Sequence, residues 1–371
     1  MKLFNKLSNF KHLIAISSKN ENITYKDILN KILIFKNIID KNSLLILISS
    51  NKIISIIFYI FAIKHNCQII ILDENHTTEF IKESIKNFKP NYIFYPKSKK
   101  LILKKNLLID DYYLCKLRTQ IDYKINKKNS LILTTSGTTS NPKFVRISQK
   151  NIFENTYQIQ KYLKIDITHK TITTLPMAYS YGLSVINTHL EFGARIFLND
   201  ISPININFWK IMNNNKINSF STVPKLCDFL KKIRFHTLVS KNLKYLTVAG
   251  GETNQETREY MREVCKLNKI NFFVMYGQTE ASPRMTYINL TKTNKINSIG
   301  KPVSEGKIII VNNEIVYFGK NVSLGYATNI KDLYKGDKNK GKLYTGDLGI
   351  KDENGFVYIT GRKKEFQNYL G

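Results

Sequence analysis

A run at residues 53–63 that is apolar almost throughout constrains the fold of this chain more than any other feature of its sequence. The run is too short to span a bilayer, which needs about 20 apolar residues. It lies between two further apolar segments, residues 44–48 and 68–72, and both have the length of a buried strand. A helix between two such strands is typical of the crossover between parallel strands. We therefore predict a buried crossover helix at residues 53–63 and no membrane span.

The alternation of strand and helix continues to about Asn289 and predicts parallel sheets covered by helices, which is an α/β fold. The character changes afterwards, because short β-rich runs separated by Gly and Asn turns occur at residues 307–311, 314–318 and 356–359. These runs predict a small antiparallel barrel or sheet. With 43% hydrophobic residues, the chain can bury a large core as one multi-layered domain with subdomains.

The loop at residues 134–143 reads TTSGTTSNPK and carries the strongest functional signal. Its hydroxyls, its backbone N–H groups and its terminal lysine are groups that bind polyphosphate, and a helix is predicted to open shortly afterwards at Ser148. Gly137 lets the backbone approach a ligand closely, and Pro142 fixes the chain direction before Lys143. The pattern GxxxxGK[ST] is absent, which excludes a P-loop NTPase. A plain surface turn is the alternative for this loop taken alone.

Four further short motifs follow the loop in a fixed order. GGE at residues 250–252 follows an apolar strand, where a flat base can lie against bare backbone. YGQTE at residues 276–280 offers an aromatic ring, a hydroxyl and a carboxylate. YTGD at residues 344–347 places an acid after a tight turn, as a ribose diol requires of its acceptor. GRKKE at residues 361–365 ends the series with cationic donors.

Taken together, these five motifs resemble those of the adenylate-forming superfamily, which includes acyl-CoA synthetases, luciferases and the adenylation domains of peptide synthetases. A single motif would be weak evidence, but five in order are much stronger. The resemblance implies a large N-terminal AMP-binding domain at residues 1–361, with α/β sheets at residues 1–289 and a small antiparallel β-barrel-like subdomain at residues 290–361. It also implies that residues 362–371 are the start of a hinge and that the small C-terminal domain of relatives is absent.

The resemblance also implies a role for each residue that matches a motif. Lys143, Thr279 and Glu280 would act at the phosphates, with Thr279 at the α-phosphate and Glu280 holding Mg²⁺, which prefers carboxylate and phosphate oxygens and water. Asp347 would accept from both ribose hydroxyls and Arg362 would donate to the ribose, although a turn acid and a surface cation are the alternatives. The tyrosine of YGQTE would stack on the base. The residues implied to bind ATP are Thr135, Ser136, Gly137, Thr138, Thr139, Lys143, Gly250, Gly251, Glu252, Tyr276, Gly277, Gln278, Thr279, Asp347 and Arg362.

The implied chemistry has two steps. A substrate carboxylate attacks the α-phosphate of Mg·ATP to give an acyl-adenylate and pyrophosphate, and a thiol of CoA or of phosphopantetheine then takes the acyl group. The first step depends on positioning and charge neutralisation rather than on a nucleophilic side chain. Accordingly, the chain has no GxSxG elbow. Two alternatives remain open: loading of an amino or hydroxy acid onto a carrier protein, and a nucleotide-binding remnant without turnover.

The segment at residues 175–183 matches the one that lines the acyl pocket in relatives. Tyr179, Tyr181 and Gly182 are therefore the candidate pocket residues, with aromatic core packing as the alternative for the two tyrosines. Amino-acid-activating relatives usually carry an Asp in this segment, and this chain has no acid between residues 175 and 190. Since burial of an unpaired ammonium is costly, the sequence favours a carboxylic acid without an α-amine.

The net charge of +29 is typical of proteins that bind nucleic acid or membrane surfaces. The lysines are spread along the chain among asparagine and isoleucine, however, which indicates compositional bias, and we expect no nucleic-acid partner. The four cysteines and six histidines show no metal-ligand spacing, so no zinc site is predicted. Reduced cysteines and the lack of a signal-peptide pattern indicate a cytoplasmic protein.

Overall fold

The structure is a computed structural model that describes residues 2–101, 103, 106–117, 125–135 and 143–363. Residues 364–371 lie outside the described part. So do residues 136–142 of the predicted polyphosphate loop, among them the site candidates Ser136, Gly137, Thr138 and Thr139.

Helices and strands alternate through most of the described chain. The α-helices are α1 (Tyr25–Lys36), α2 (Ile53–Lys64), α3 (Thr78–Phe88), α4 (Gln149–Leu163), α5 (Ser180–Glu191), α6 (Ile206–Asn214), α7 (Pro224–Lys232) and α8 (Gln255–Leu267). The strands are β1 (Ile14–Ser17), β2 (Asn22–Thr24), β3 (Leu44–Ser49), β4 (Gln68–Asp73), β5 (Tyr92–Pro96), β6 (Asn106–Ile109), β7 (Tyr112–Lys116), β8 (Asn129–Thr134), β9 (Phe144–Ser148), β10 (Lys170–Ile172), β11 (Arg195–Phe197), β12 (Ser219–Thr222), β13 (Tyr245–Val248), β14 (Asn271–Gly277), β15 (Arg284–Asn289), β16 (Lys301–Pro302), β17 (Lys307–Val311), β18 (Glu314–Phe318), β19 (Gly325–Ala327), β20 (Lys342–Lys351) and β21 (Val357–Arg362).

The strands form three sheets. A nine-stranded sheet has the order β16-β15-β14-β13-β12-β10-β11-β1-β2, and an eight-stranded sheet has the order β19-β9-β8-β4-β3-β5-β7-β6. Both have a parallel centre, where β12, β13 and β14 or β3, β4 and β8 pair in parallel, and antiparallel strands at their edges. The predicted parallel sheets are therefore confirmed, and the antiparallel edges are an addition to that prediction.

Helix α2 is buried along its whole apolar length, residues 53–63. It connects β3 to β4, which pair in parallel, so the predicted crossover helix is confirmed. Leu45 and Leu47 of β3 share its core cluster, as do Leu183 and Ile186 of α5. Helix α2 therefore lies between the eight-stranded sheet and α5. No helix of the described residues is both long enough and apolar enough to cross a membrane.

Other helices cover the outer faces of the two large sheets. Ile81 and Phe88 of α3 pack with Leu44 and Ile46, whose side chains lie on the opposite face of β3 from Leu45. Helices α6, α7 and α8 pack on the nine-stranded sheet through a cluster that includes Trp209. The result is a set of alternating helix and sheet layers, as the strand and helix pattern predicts.

Helix α4 begins where the sequence predicts a helix to open. Ser148 is its N-cap, with its hydroxyl accepting from the backbone N–H of Asn151 at 3.1 Å and its own N–H donating to Asn151 Oδ1 at 2.8 Å. The strand β9 that precedes it is a finding beyond the sequence prediction. All of β9 is buried, and Phe144 packs against the rings of Phe80 and Phe88, so the strand lacks the alternation that identifies half-buried strands.

The β-rich runs after Asn289 contribute to all three sheets. Strands β17, β18, β20 and β21 form a separate four-stranded antiparallel sheet. Strand β16 instead joins the nine-stranded sheet through β15, and β19 joins the eight-stranded sheet through β9. This part of the chain consequently connects the three sheets, and the candidate active site lies where they meet.

We predict that His189 makes folding stability sensitive to acid. Its ring is buried in α5, with Nδ1 2.8 Å from the Val185 carbonyl oxygen, and burial lowers the pKa of His189 from 6.5 to about 4. As the pH falls, His189 gains a proton in the unfolded chain before it does so in the folded protein. The stability that the neutral ring contributes is therefore complete above pH 6.5 and is lost as the pH falls towards 4. We expect His189 to account for about 2 kcal/mol of lost stability between pH 7 and pH 5.

Urea unfolding at several pH values between 7 and 5 measures this loss, with His189→Gln as the comparison. The variant should show a smaller change in unfolding free energy over that range, whatever its stability at pH 7. An equal change in the two proteins would contradict the prediction.

Candidate active site

Asp347 is the centre of a hydrogen-bond cluster that joins two sheets. Asp347 is buried, with 4% of the residue exposed. The Tyr276 hydroxyl donates to Oδ2 at 2.5 Å, and Gln278 Nε2 donates to the same oxygen at 3.1 Å. Arg362 Nε donates to Oδ1 at 2.8 Å from the opposite position in the β20–β21 register. Three residues that the sequence assigns to the nucleotide therefore all contact a fourth, Asp347.

The environment of Asp347 makes Tyr276 a permanent hydrogen-bond donor. Burial, and then the negative charge of Asp347, raise the pKa of Tyr276 well above its ordinary value. Gln278 is oriented by a second bond from Nε2 to the Thr345 carbonyl oxygen at 2.9 Å. A carboxylate has about four acceptor positions, so the three donors leave it room for a further donor.

The predicted tight turn before Asp347 is wrong, because residues 342–351 form the continuous strand β20. Gly346 adopts a φ of +73° within that strand, a conformation that favours glycine. Its N–H points to Glu314 Oε1 at 3.0 Å instead of continuing a regular ladder. Lys363 Nζ binds the other oxygen of Glu314 at 3.1 Å. The glycine thus marks an irregularity inside a strand rather than a chain reversal.

The two glycines after β13, Gly250 and Gly251, expose bare backbone. Gly250 has a φ of +91°, and a Cβ atom there would lie 2.4 Å from the Tyr179 hydroxyl oxygen. Gly251 and Glu252 are exposed. Gly277 has no room for a side chain, since a Cβ would lie 1.9 Å from the Pro283 carbonyl oxygen.

The N-terminus of α5 meets the end of β14 at Thr279. Ser180, the first residue of α5, has its Oγ 3.0 Å from Thr279 Oγ1. The next residue, Tyr181, is buried, and its hydroxyl lies 2.7 Å from Thr247 Oγ1. A Cβ on Gly182 would lie 2.2 Å from the Pro176 carbonyl oxygen, so close packing of the helix on that segment requires glycine. The candidate pocket residues Tyr179, Tyr181 and Gly182 therefore lie at the start of α5, next to Ser180, which contacts Thr279.

Tyr326 connects Glu280 to the start of β9 and is a site residue that the sequence did not indicate. Its hydroxyl donates to Glu280 Oε1 at 2.7 Å, and Lys143 Nζ lies 5.3 Å from its ring centroid. Burial and the charge of Glu280 raise its pKa, which keeps the hydroxyl a donor. The Thr135 N–H donates to the Lys143 carbonyl oxygen at 3.0 Å, closing the base of the loop predicted to bind phosphate.

Glu280 suits a magnesium ion better than a metal ion that takes all of its ligands from protein side chains. The described residues contain no group of three or more His, Cys, Asp or Glu side chains placed to hold a metal. Mg²⁺ is usually bound through one or two carboxylates together with phosphates and water. One carboxylate next to a loop suited to phosphate therefore fits Mg²⁺.

A family model described as AMP-binding enzyme matches residues 9–326. The chain belongs to this family. It is similar to a 2-succinylbenzoate–CoA ligase from Bacillus cereus, 29% identical over 247 residues that cover 63% of this chain and 50% of the relative. A 2-succinylbenzoate–CoA ligase from Listeria innocua is 26% identical over 245 residues, covering 64% of this chain and 50% of that protein. The chain spans about half the length of these curated relatives.

Solved structures of AMP-binding enzymes share its fold. The O-succinylbenzoate coenzyme A synthetase MenE from Bacillus subtilis, in complex with AMP, superposes with a TM-score of 0.78 at 17% identity, covering 97% of this chain and 79% of that one. VinN in complex with L-aspartate gives a TM-score of 0.77 at 18% identity, covering 97% and 98%. These likenesses confirm the predicted α/β large-domain fold of adenylate-forming enzymes.

We predict that Gly250→Ala is destabilising mainly through the Tyr179 hydroxyl. The substitution Tyr179→Phe removes that hydroxyl. The nearest atom to a Cβ on Gly250 is then the ring carbon Cζ, at 3.5 Å, which is an ordinary contact distance. The clash should cost about 1–3 kcal/mol of unfolding free energy, in addition to the strain of a positive φ. A double-mutant cycle measured by urea unfolding isolates it.

Gly355→Ala is the matched control, since Gly355 has a φ of +82° and a Cβ atom there would meet no other atom within 4 Å. It reports the strain alone. Equal costs at Gly250 and Gly355, or a Gly250 cost that Tyr179→Phe leaves unchanged, would show that the glycine does not pack on Tyr179.

Proposed function

We propose that this chain binds Mg·ATP and joins a carboxylic acid to AMP, with release of pyrophosphate, before the acyl group passes to a thiol. The observation that carries the proposal is the convergence on Asp347 and Thr279 of side chains that are far apart in the sequence. Tyr276 and Gln278 reach Asp347 from β14, and Ser180 reaches Thr279 from α5. Membership of the AMP-binding enzyme family supports a nucleotide as the shared ligand.

In this proposal, the Asp347 cluster binds the nucleoside. Asp347 accepts hydrogen bonds from the two ribose hydroxyls, one at its remaining acceptor position and one at the position that Arg362 occupies now and leaves when it turns to the ribose. Arg362, whose side chain is 64% exposed, donates to the ribose. The adenine lies between the Tyr276 ring and the bare backbone of Gly250 and Gly251.

The phosphates lie on the other side of Thr279. Thr279 donates to the α-phosphate, while Lys143 and the hydroxyl-rich loop that starts at Thr135 hold the β- and γ-phosphates. Glu280 binds Mg²⁺, which supplies charge neutralisation of the phosphates when bound. Tyr326 keeps the Glu280 carboxylate in place by donating to one of its oxygens.

The chain needs no nucleophilic side chain for this reaction. The substrate carboxylate is the nucleophile, and the protein's task is to align it with the α-phosphate and to balance the charge. CoA is the acceptor favoured by the names of the curated relatives, and a phosphopantetheine thiol on a carrier protein is the other candidate. All four cysteine side chains are buried, which suits the reducing cytoplasm in which we propose that the reaction occurs.

Loading of an amino or hydroxy acid onto a carrier protein is a second candidate function. The observation that favours it is the structural likeness to VinN, which was solved with L-aspartate. 2-Succinylbenzoate, named in the curated relatives, is one candidate acid for the first function.

Exchange of [³²P]pyrophosphate into ATP tests the proposal. The chain is supplied with ATP, Mg²⁺ and a panel of aliphatic, aromatic, dicarboxylic and amino acids. We expect exchange with at least one acid that lacks an α-amine, whereas exchange with amino acids alone selects carrier-protein loading. Nucleotide binding without exchange selects a remnant without turnover, and failure to bind either ATP or an acyl-AMP mimic overturns the proposal.

Asp347→Asn should raise the KM for ATP with little change in kcat. Loss of a charged acceptor weakens binding by about 1.5–3 kcal/mol, or roughly ten- to hundredfold. The variant should also lose the preference of the wild type for ATP over 2′-deoxyATP. The substitution in the protein and the missing 2′-hydroxyl of the ligand remove the same contact. Asp111→Asn, at an exposed position, is the control for the charge change. An undiminished preference for ATP would contradict the ribose assignment.

Glu280→Gln and Lys143→Ala should both slow exchange but respond differently to magnesium. The amide keeps the acceptor for Tyr326 and loses the charge that holds the ion, so raised Mg²⁺ should restore part of the rate. Lys143→Ala should raise the KM for ATP about tenfold or more at every Mg²⁺ concentration. Lys82→Ala, at an exposed position of α3, is the control. The same magnesium response in both variants would refute the separate roles.

A further inference from the structure

A groove of about 700 Å³ lies between the start of α4 and the chain segments that precede β17, follow β18 and precede β20. None of the described residues proposed to bind ATP lines it. Ser148, at one end of β9, lines the groove, whereas Lys143 precedes the other end of that strand. A strand rises about 3.3 Å per residue, so the five residues of β9 keep these two positions well apart. The groove is therefore separate from the candidate active site.

Lysines from every segment of its wall line this groove, which we call the lysine groove. The wall consists of residues 127–128, 148–151, 305–307, 318–324 and 337–341. Each of these five segments contributes at least one of six lysines, which are Lys127, Lys128, Lys150, Lys307, Lys320 and Lys340. Because the segments are far apart in the sequence, the fold gathers this charge and no local run of lysines produces it.

Two acids in the wall leave most of these lysines without a partner. Glu305 forms ion pairs with Lys161 at 3.7 Å and with Lys320 at 3.5 Å. Asp337 accepts hydrogen bonds from two backbone N–H groups, at 2.8 and 3.1 Å. The other five lysines of the groove form no ion pair with any residue that the structure describes. The lysine groove therefore keeps a positive charge.

The high lysine content of the chain does not by itself explain the lysine groove. A second cavity, of about 360 Å³, lies at the ends of β3 and β4, and Asp73, Glu74 and Asp200 line it. The described lining of this cavity includes no lysine or arginine, although the chain has 57 of these residues. The two cavities thus carry charge of opposite sign, which an even spread of lysines over the surface would not produce.

The start of α4 adds to the positive potential of the lysine groove. A helix carries a partial positive charge at its N-terminus, and acidic side chains in the first turn offset that charge. The first turn of α4 contains Lys150 and no acid. Asn151 joins this end of the helix to the opposite wall, because its Nδ2 donates to the carbonyl oxygens of Lys320 and Val322 at 2.7 Å each. Bonds within the protein therefore fix the shape of the charged wall.

The lysine groove has the size and lining of a small-molecule site. Ligand pockets have volumes of roughly 300–1,000 Å³ and combine apolar lining with a few polar groups. The half-buried ring of Phe318 and the buried side chains of Val322 and Leu324 supply the apolar part here. A protein partner would instead need about 800 Å² of surface on this side. The groove consequently fits a small molecule that has both an anionic and an apolar part.

We propose that the lysine groove binds a phosphorylated small molecule, with its phosphate on the lysines and a flat, apolar group against Phe318. Six lysines against two acids favour a ligand with more than one negative charge. A phosphate monoester carries a charge of about −1.5 to −2 at pH 7, whereas a single carboxylate carries one. Lysine binds phosphate as a point charge. The inference does not rest on the proposed function, because the groove shares no described residue with the proposed nucleotide site.

Labelling with pyridoxal 5′-phosphate tests this inference, because the probe carries a phosphate, a flat ring and an aldehyde. The aldehyde condenses with a lysine Nζ with loss of water, and borohydride then reduces the imine to a stable amine. Mass spectrometry of the peptides gives the labelling rate of each lysine. We expect the groove residues Lys128, Lys150 and Lys340 to react about tenfold faster than two control lysines. The controls are Lys82 and Lys86, which are exposed on α3. Excess pyrophosphate should slow labelling in the groove alone.

A double variant, Lys150→Gln with Lys340→Gln, tests whether the lysines of the groove act together. Both side chains are exposed, so the variant should fold and keep the melting temperature of the wild type. The labelling rate of Lys128 should fall about tenfold, because two charges that hold the phosphate are lost. Lys82→Gln with Lys86→Gln removes the same charge from α3 and is the matched control, which should leave the rate at Lys128 unchanged.

Three outcomes would overturn the inference: equal labelling rates in the groove and on α3, no protection by pyrophosphate, or a rate at Lys128 that the groove variant does not change. Lys143 reports separately on the phosphate loop of the proposed function, since ATP should protect it from the probe. Labelling of Lys143 without the groove would support that function and overturn this inference. Fast labelling of the groove beside an unreactive Lys143 would support the inference and count against the proposed phosphate loop.

Discussion

The absence of a polar face on α2 is the constraint from which the geometry of the candidate site follows. A helix that is apolar all round must be covered all round, and here the eight-stranded sheet and α5 provide that cover. Tyr59 of α2 also donates to Asn187 of α5 at 2.9 Å, which sets the position of one helix against the other. Because Ser180 is the first residue of α5, burial of α2 also determines where its side chain meets Thr279.

Arg146 provides the corresponding constraint on the phosphate side. Its bonds to the carbonyl oxygens of Leu324, Tyr326, Lys335 and Gly336 hold residues 324–336 against β9. Tyr326 is thereby fixed between Lys143 and Glu280. The base of the loop and the carboxylate proposed to hold Mg²⁺ consequently belong to one cross-linked unit, although they lie far apart in the sequence.

Elements with a distinctive local pattern could be predicted from the sequence. The buried α2 and the Ser148 N-cap of α4 depend on neighbouring residues alone, and the ordered motifs carry the family resemblance. Strand β9 could not be recognised because burial on both faces removes its alternation. The turn expected at Gly346 is a strand irregularity, since the partner of its N–H, Glu314, lies on another strand. The burial of Arg284 without an anionic partner among the described residues is likewise revealed only by the three-dimensional packing.

The net charge of +29 and the buried charge of Arg284 differ in how far their effects reach. Surface lysines attract any anion, ATP and carboxylic acids alike, and salt screens this attraction over about 10 Å. They raise the rate of encounter without distinguishing one acid from another. A guanidinium buried among tyrosines is screened much less, so Arg284 interacts only with the groups packed against it. Selection among acids must therefore arise from groups inside the fold rather than from the surface charge.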